Sequence, residues 1–304
     1  MMKQVQVLMS TYNGEKYLKE QIDSILEQTD VEVSLLVRDD GSTDGTIKIL
    51  EEYKRNNKNI SWYQGKNIGT GKSFFELLKD TIEGADYYAF ADQDDYWFPE
   101  KLIKAIERIQ IVEGEYIDCP LLYGSNVIYA TKDLKKREKY RYKNKKKPTF
   151  GNALLENICI GCTQVFNKEL FCVVREKQPR EKIWHDWWLY LSASCFGQVI
   201  YDEEAYILYR QHGENQVGMK NSWCGRWKNR ICYFSKLKNS VSLQAQEFIN
   251  IYGKDYELYL LVQTVAEYKK NWKSKIRLIK NKEIYRQQNI DDSIYKLLFI
   301  FGLL

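Results

Sequence analysis

Residues 87–97 read YYAFADQDDYW, five apolar residues followed by three aspartates within four positions. A run such as Tyr87–Ala91, apolar without alternation, marks a strand buried on both faces, and strands of that kind belong to parallel sheets covered by helices. The aspartates that end it, Asp92, Asp94 and Asp95, repel one another unless a positive charge sits among them. In a parallel α/β sheet, ligands collect at the carboxyl ends of the strands. One stretch thus predicts both the fold class and the place where chemistry occurs.

The flanking sequence repeats the pattern. QVQVLMS (4–10) is a short β-type run. Leu18, Ile22, Ile25 and Leu26 then line one face of a helix within 15–28. VSLLVRD (33–39) is a strand, DGSTDGT (40–46) a polar turn, and Ile47, Leu50 and Tyr53 mark a second helix. ISWYQ (60–64) and the helical stretch 72–82 follow, and 99–113 is a helix with Pro99 suited to its first turn. This alternation predicts an α/β fold, a mostly parallel sheet flanked by helices. The strand ends read Ser10-Thr11-Tyr12-Asn13, Arg38-Asp39-Asp40-Gly41 and Asp92-Gln93-Asp94-Asp95. Parallel strands place these ends on one rim. Further on, LLYGSNVIYA (121–130) reads as a strand, WHDWWLYLSASCFG (184–197) as a buried helix, and VIYDEEAYILYRQHG (199–213) as strand pieces. Beyond 218 the chain is helical, basic and aromatic.

Asp92 and Asp94 stand two apart, so in extended backbone their carboxylates point the same way. Such a pair makes a hard-oxygen site for magnesium or manganese, with positions left open for phosphate oxygens. A calcium EF-hand is excluded, because its sixth and twelfth positions would be Trp97 and Ile103. A helix cap near Pro99 is the plainer use for Asp94 or Asp95, though it does not explain all three acids. GTGKS (69–73) imitates the tail of a phosphate-binding loop, but the glycine that loop needs at 66 is Lys66, with Gly65 one residue out of place. No Gly-x-Gly-x-x-Gly follows the first strand.

The 304 residues are 44% hydrophobic and 29% charged, a globular composition with net charge +5. The charge is uneven: 132–147 carries ten basic and two acidic residues, and 219–238 six basic residues and no acid. Local basicity suits an anionic partner, and 132–147 is equally well read as a solvated loop. No secretory signal opens the chain and no run reaches the ~20 apolar residues of a spanning helix. Seven cysteines without a signal indicate reduced thiols in the cytosol. Cys159-Ile-Gly-Cys162 has no second pair and reads as buried apolar cysteine.

STYNGEKYLKEQIDSILEQT (10–29), VRDDGSTDGT (37–46), ADQDDYWFPEKL (91–102) and HDWWL…YRQHGENQVG (185–218) together resemble glycosyltransferase family 2, most closely its bacterial rhamnosyltransferase-like branch. The resemblance runs from about residue 4 to 218. It implies a GT-A (Rossmann-like) catalytic domain over 1–218, with a nucleotide-sugar half to about 115 and an acceptor half over 116–218. Residues 219–304 form a helical C-terminal region. It further implies an inverting enzyme of capsule or other cell-surface polysaccharide synthesis. The cofactors are Mn2+ or Mg2+ and a dTDP- or UDP-sugar, dTDP-rhamnose first; the acceptor is a lipid-linked oligosaccharide. Carried onto this chain, Thr11 and Tyr12 flank the nucleotide, and Asp39 accepts the N3–H of a pyrimidine. Asp92 and Asp94 match the Asp-x-Asp motif, with Asp94 the stronger metal ligand and Asp92 also at the donor. Asp186 is the catalytic base. His212 lies by the metal or diphosphate, and Arg210 with it eases departure of the nucleotide.

Elementary chemistry agrees with those roles. A diphosphate enters an acidic crevice only if a cation bridges the two. A sugar hydroxyl is a poor nucleophile, so a carboxylate must take its proton. Trp187 and Trp188 beside Asp186 could stack on a sugar; alternatively HDWW is core plus a helix cap. His185 is assigned no catalytic role. The basic, aromatic stretch 219–238 and the apolar end 294–304 suit an anionic membrane surface, or else packing on the catalytic domain. The expected location is therefore cytoplasmic, peripheral on the inner face of the plasma membrane. A UDP-hexose enzyme and an inactive nucleotide- or carbohydrate-binding module are the competing functions. Nucleic acid is not an expected partner, because no recognition motif accompanies the basic loop.

Overall fold

The computed structural model describes residues 2–82, 84–140, 146–181, 183–211 and 240–304. His212, the basic stretch 219–238 and residues 141–145 of the basic loop lie outside these. The chain divides into two compact units. Unit 1 comprises residues 1–143, 158–178 and 184–210; unit 2 comprises 144–157, 179–183 and 211–304.

Unit 1 is built on one nine-stranded sheet of order β3-β2-β1-β4-β8-β6-β9-β5, with β7 paired to β6. The strands are β1 (Lys3–Thr11), β2 (Val31–Asp39), β3 (Ile60–Gln64), β4 (Tyr87–Ala91), β5 (Tyr96–Trp97), β6 (Leu121–Ala130), β7 (Lys136–Tyr140), β8 (Val165–Asn167) and β9 (Gln198–Arg210). The helices are α1 (Leu18–Leu26), α2 (Thr46–Asn56), α3 (Thr70–Asp80), α4 (Lys101–Glu113), α6 (Lys168–Glu176) and α7 (His185–Phe196). The first four strands, β1 to β4, are parallel, as the alternation of strand and helix predicts. Beyond β4 the sheet becomes mixed: β8 runs antiparallel to β4 and β6, while β6 and β9 are parallel. All ten residues of β6 are buried.

One face of the sheet packs Val5, Val7, Met9, Leu35 and Val37 against Leu18, Ile22 and Ile25 of α1 and Leu102, Ile106 and Ile109 of α4. Burying each such side chain contributes roughly 1.5–3 kcal/mol. Helix α4 begins at Lys101, so Pro99 precedes it and does not occupy its first turn. Its Leu102 amide is capped from outside, by Gln28 Oε1 at 3.0 Å. Neither Asp94 nor Asp95 caps it: the residue before the helix is Glu100, which makes no side-chain cap.

Unit 2 contains the four-residue α5 (Phe150–Ala153) and four longer helices, α8 (Ser240–Tyr252), α9 (Tyr259–Ala266), α10 (Trp272–Lys280) and α11 (Asn289–Phe301). Tyr295, Phe299 and Leu304 are buried, and the Tyr268 hydroxyl donates to the Leu304 oxygen at 3.0 Å. The apolar end of α11 is thus partly a packing element of this unit. A buried ion pair, Arg286 to Glu156 at 3.0 Å, ties the segment 144–157 to the chain before α11.

Candidate active site

Register alignment brings the strand ends together, with Thr11 opposite Asp39 at the last rung of β1 and β2. The loops that follow are laced to each other. Asp40 N donates to Thr11 O at 2.7 Å, Asn13 N to Ser42 Oγ at 2.8 Å, Thr43 N to Asn13 Oδ1 at 2.9 Å and Gly14 N to Thr46 Oγ1 at 2.8 Å. Asn13 adopts a left-handed backbone (φ 49°), a conformation asparagine tolerates better than most residues. Asp39 is fully buried. It accepts from Gly41 N at 3.1 Å, Ser42 N at 2.9 Å, Gln64 Nε2 at 3.1 Å and the Ser42 hydroxyl. The residue expected to read a base therefore also closes the turn after β2. Tyr12, by contrast, is 46% exposed at the rim.

The phosphate-loop imitation has a structural explanation. Arg38 and Asp40 form a buried ion pair. The Asp40 carboxylate accepts from Ile68 N at 3.0 Å and Gly69 N at 2.8 Å, the amides entering α3. A helix N-terminus favours an anion, and here the protein supplies its own. Arg38 also reaches Ser73 Oγ and Lys66 O, each at 3.0 Å. Gly65 lies against the Arg38 guanidinium, where any Cβ would collide with it. The glycine that misses the phosphate-loop register is there to admit an arginine.

The acids after β4 form the centre of the rim. Burial, then Asp94, then Asp186, push the half-buried Asp92 carboxyl up to about 7. Asp95 is wholly buried, and burial with Asp94 and Asp92 drives its carboxyl well above the usual range. Its Oδ1 accepts from Arg210 N at 3.0 Å, while its buried Oδ2 lacks a hydrogen-bond partner among the described residues. Ligand atoms of Asp92, Asp95 and Cys162 all lie within 4.8 Å of one another. Acids crowded at one strand end, one of them with a buried oxygen that no described residue hydrogen-bonds, make a donor set that fits a divalent metal. Beneath them Lys101 Nζ lies 3.3 Å from the centre of the Trp97 ring, and burial lowers its amine to about 7.

Arg210 is turned inward. Its Nε donates to Asp94 O at 2.7 Å, its Nη1 to Lys132 O and its Nη2 to Glu20, and the guanidinium lies 4.4 Å from the Tyr17 ring centre. It braces the acid loop from behind, with its guanidinium engaged by protein acceptors.

Asp186 sits in the first turn of α7. Gln164 fixes that turn, its Nε2 donating to Asp186 O at 2.8 Å and Cys159 O at 2.9 Å. The helix enters close to Gly161, where a Cβ would stand 3.1 Å from His185 Nε2 and 3.3 Å from Asp186 Cβ. Asp186 is thereby brought near enough to Asp92 to raise its pKa. His185 stacks on Phe74 (3.9 Å between ring centres) and meets Phe90 edge-on. Neither of its nitrogens finds a hydrogen-bond partner among the described residues, and burial lowers its pKa to about 3. Trp187 and Trp188 are buried, so they are core and offer no stacking surface to a sugar; Trp184, 46% exposed, is the aromatic residue at this edge that meets solvent.

The structure therefore assembles Thr11, Tyr12, Asp39, Asp92, Asp94 and Asp186 within unit 1. Sequence reasoning sets Asp95 among the crowded acids but offers it only a capping role; it misses Cys162 as a neighbour of Asp92 and Gln93 as a tie to β1. Cys162 left no sequence signal.

The family model for Glycosyl transferase family 2 matches residues 6–174. The dTDP-rhamnosyl transferase RfbG of Shigella flexneri is 35% identical over 231 residues, 72% of this chain and 77% of that protein. An uncharacterized glycosyltransferase of Rickettsia typhi is 26% identical over 88% of this chain and 80% of its own. Among solved structures, residues 1–349 of S. aureus TarS in complex with UDP-GlcNAc superpose with a TM-score of 0.62 at 19% identity, covering 99% of this chain and 82% of that fragment. The mannosyltransferase PcManGT of Pyrobaculum calidifontis, solved with GDP-Man and Mn2+, gives 0.56 at 14% identity over 88% and 70%. With these likenesses and the GT-A arrangement of its strand ends, the chain belongs to glycosyl transferase family 2 and is a glycosyltransferase.

Proposed function

We propose that this enzyme transfers a sugar, rhamnose from dTDP-rhamnose, with inversion, onto a lipid-linked glycan of a cell-surface polysaccharide. The convergence of Asp186, in the first turn of α7, on the acid loop carries this reading, since it brings a further carboxylate to the metal-fitting end of the rim. The choice of donor is supported by the 35% identity to a dTDP-rhamnosyl transferase. A UDP-hexose enzyme is the second reading, because a carboxylate at Asp39 would accept the N3–H of uracil and of thymine alike.

In this reading Thr11, Tyr12 and Asp39 hold the nucleoside and Asp92 and Asp94 hold a divalent cation, which when bound neutralises the diphosphate. His212 stays proposed beside the diphosphate, outside the described residues. Arg210 acts from behind, keeping Asp94 and Asp95 in place. Asp186 accepts the proton of the attacking acceptor hydroxyl as the new glycosidic bond forms. His185 is a poor competitor for that proton, being buried and held neutral. The experiment is Asp186→Asn: dTDP affinity with manganese should be nearly unchanged and transfer from dTDP-rhamnose should fall about 10²–10⁴-fold. Near-normal transfer would remove Asp186 from the role.

We further propose a peripheral position on the cytoplasmic face of an anionic membrane. Support comes from α10, whose exposed face carries Trp272, Ile276, Lys273, Arg277 and Lys280, and from the exposed Leu297 and Phe301 of α11. No described helix is long and apolar enough to cross a membrane.

A further inference from the structure

Gln93 lies between Asp92 and Asp94, yet its side chain leaves them for the end of β1. Its Oε1 accepts from Thr11 Oγ1 at 2.6 Å and from Tyr12 N at 2.8 Å, and its Nε2 donates to Tyr12 O at 3.2 Å. Only a carboxamide can do this, accepting twice and donating once at neutral pH. A glutamate would lose the donation and add a charge to an already crowded cluster. The opposite wall is shaped to receive the amide: a Cβ on Gly14 would stand 2.5 Å from Gln93 Oε1 and 2.7 Å from Thr11 Oγ1. The link continues from Tyr12 through Asn13 and Ser42 to the Asp39 carboxylate. One side chain therefore joins the acid loop to both loops on the other side of the rim.

We propose that Gln93 is a positioning residue, setting the distance between the nucleoside-binding end of the site and its metal–diphosphate end. This rests on the assignment of Thr11, Tyr12 and Asp39 to the nucleoside and of Asp92 and Asp94 to the metal. A nucleoside diphosphate has a limited span, so it gains from both ends at once only when they are held at the right separation. That gain is the effective-concentration benefit of a preorganised site. Loss of Gln93 should leave each end able to bind and uncouple the two.

The test is calorimetry on the full chain with dTDP and dTMP, each with and without manganese, for wild type, Gln93→Ala, Gln93→Glu and Thr11→Val. In wild type, manganese should strengthen dTDP binding far more than dTMP binding. In Gln93→Ala that manganese-dependent gain for dTDP should shrink by about 10- to 100-fold, the scale of two or three neutral hydrogen bonds, while manganese-free dTMP binding changes by less than about 3-fold. Gln93→Glu should not restore the gain, and Thr11→Val should reproduce part of the loss. A purely structural role would lower melting temperature and both nucleotides' affinities together, which would overturn the proposal, as would an unchanged manganese gain in Gln93→Ala. If Gln93→Ala does not fold, Thr11→Val decides, since it removes one hydrogen bond and little volume; full retention of the gain there overturns the proposal. Wild type that binds neither nucleotide would refute the underlying site assignment, and the proposal with it.

Discussion

His185 offers a quantitative test of how α7 meets the sheet. Its ring lies between Phe74 and Phe90, without a hydrogen-bond partner among the described residues, and its pKa is lowered from 6.5 to about 3 by burial. The folded pKa is depressed below the unfolded one. The unfolded chain therefore takes up the proton first as pH falls, and the stability conferred by the neutral ring, complete above 6.5, is lost progressively between 6.5 and 3. From about pH 7 to about pH 5 the unfolded imidazole gains about 2 kcal/mol of protonation free energy that the folded one does not. His185→Leu removes the titration and adds a packing defect that is independent of pH. In urea unfolding followed by tryptophan fluorescence, wild type should lose about 2 kcal/mol more than the variant over that interval. Equal losses in the two proteins would mean that the imidazole is charged inside the fold, which would refute the assignment of a neutral wedge and return His185 to consideration as a proton acceptor.

Arg38→Met should strand the buried Asp40 carboxylate and cost about 3–5 kcal/mol of stability by urea unfolding; a loss under about 1 kcal/mol would show that the pair is not sequestered. For Asp92, whose pKa rises from 3.8 to about 7, the folded state binds the proton more tightly, so metal-free stability should fall as pH rises through that window. Asp92→Asn should flatten this trend in thermal melts and manganese should offset it in wild type; identical pH profiles for the two proteins would contradict the crowding. Binding of dTDP should exceed that of ADP, and Asp39→Asn should narrow the difference, as measured by calorimetry. The full chain should pellet with phosphatidylglycerol vesicles, and Trp272→Ala with Phe301→Ser should weaken this; unaltered sedimentation would free that face of the role.

The sequence exposed those parts of the fold that are written in periodicity. The parallel half is legible because Val7–Met9, Leu35–Val37 and Tyr87–Ala91 are apolar on consecutive positions and run into polar residues. The antiparallel β8 is not: three residues cannot display a period, and Val165–Asn167 is recognisable only by its partners. At the site, Asp92, Asp94 and Asp186 carry family motifs and stand where strand ends and a helix start place them. The sequence offers Arg210 as a cation that eases departure of the diphosphate; it does not show that the guanidinium engages Glu20, Asp94 and Lys132, contacts spanning most of the unit that no local pattern encodes. Cys159-x-x-Cys162 reads as two equivalent buried thiols, yet Cys162 lies beside Asp92 and Asp95 whereas Cys159 lies under the influence of Asp186.

The two units alternate along the chain, and that limits how this enzyme can be taken apart or recombined. A break after residue 210 would not release unit 2, because 144–157 and 179–183 would stay with the wrong fragment. Glu156 would go with them, deprived of its ion pair with Arg286, and Gly151 would lose the Glu283 backbone to which its bare Cα is fitted. Grafting the C-terminal helices of a relative would therefore require exchanging three stretches of sequence together. Chimeras joined at a single crossover should express poorly even where the parental enzymes are alike. A library designed to alter acceptor or surface preference should keep 144–157, 179–183 and 211–304 as one heritable block.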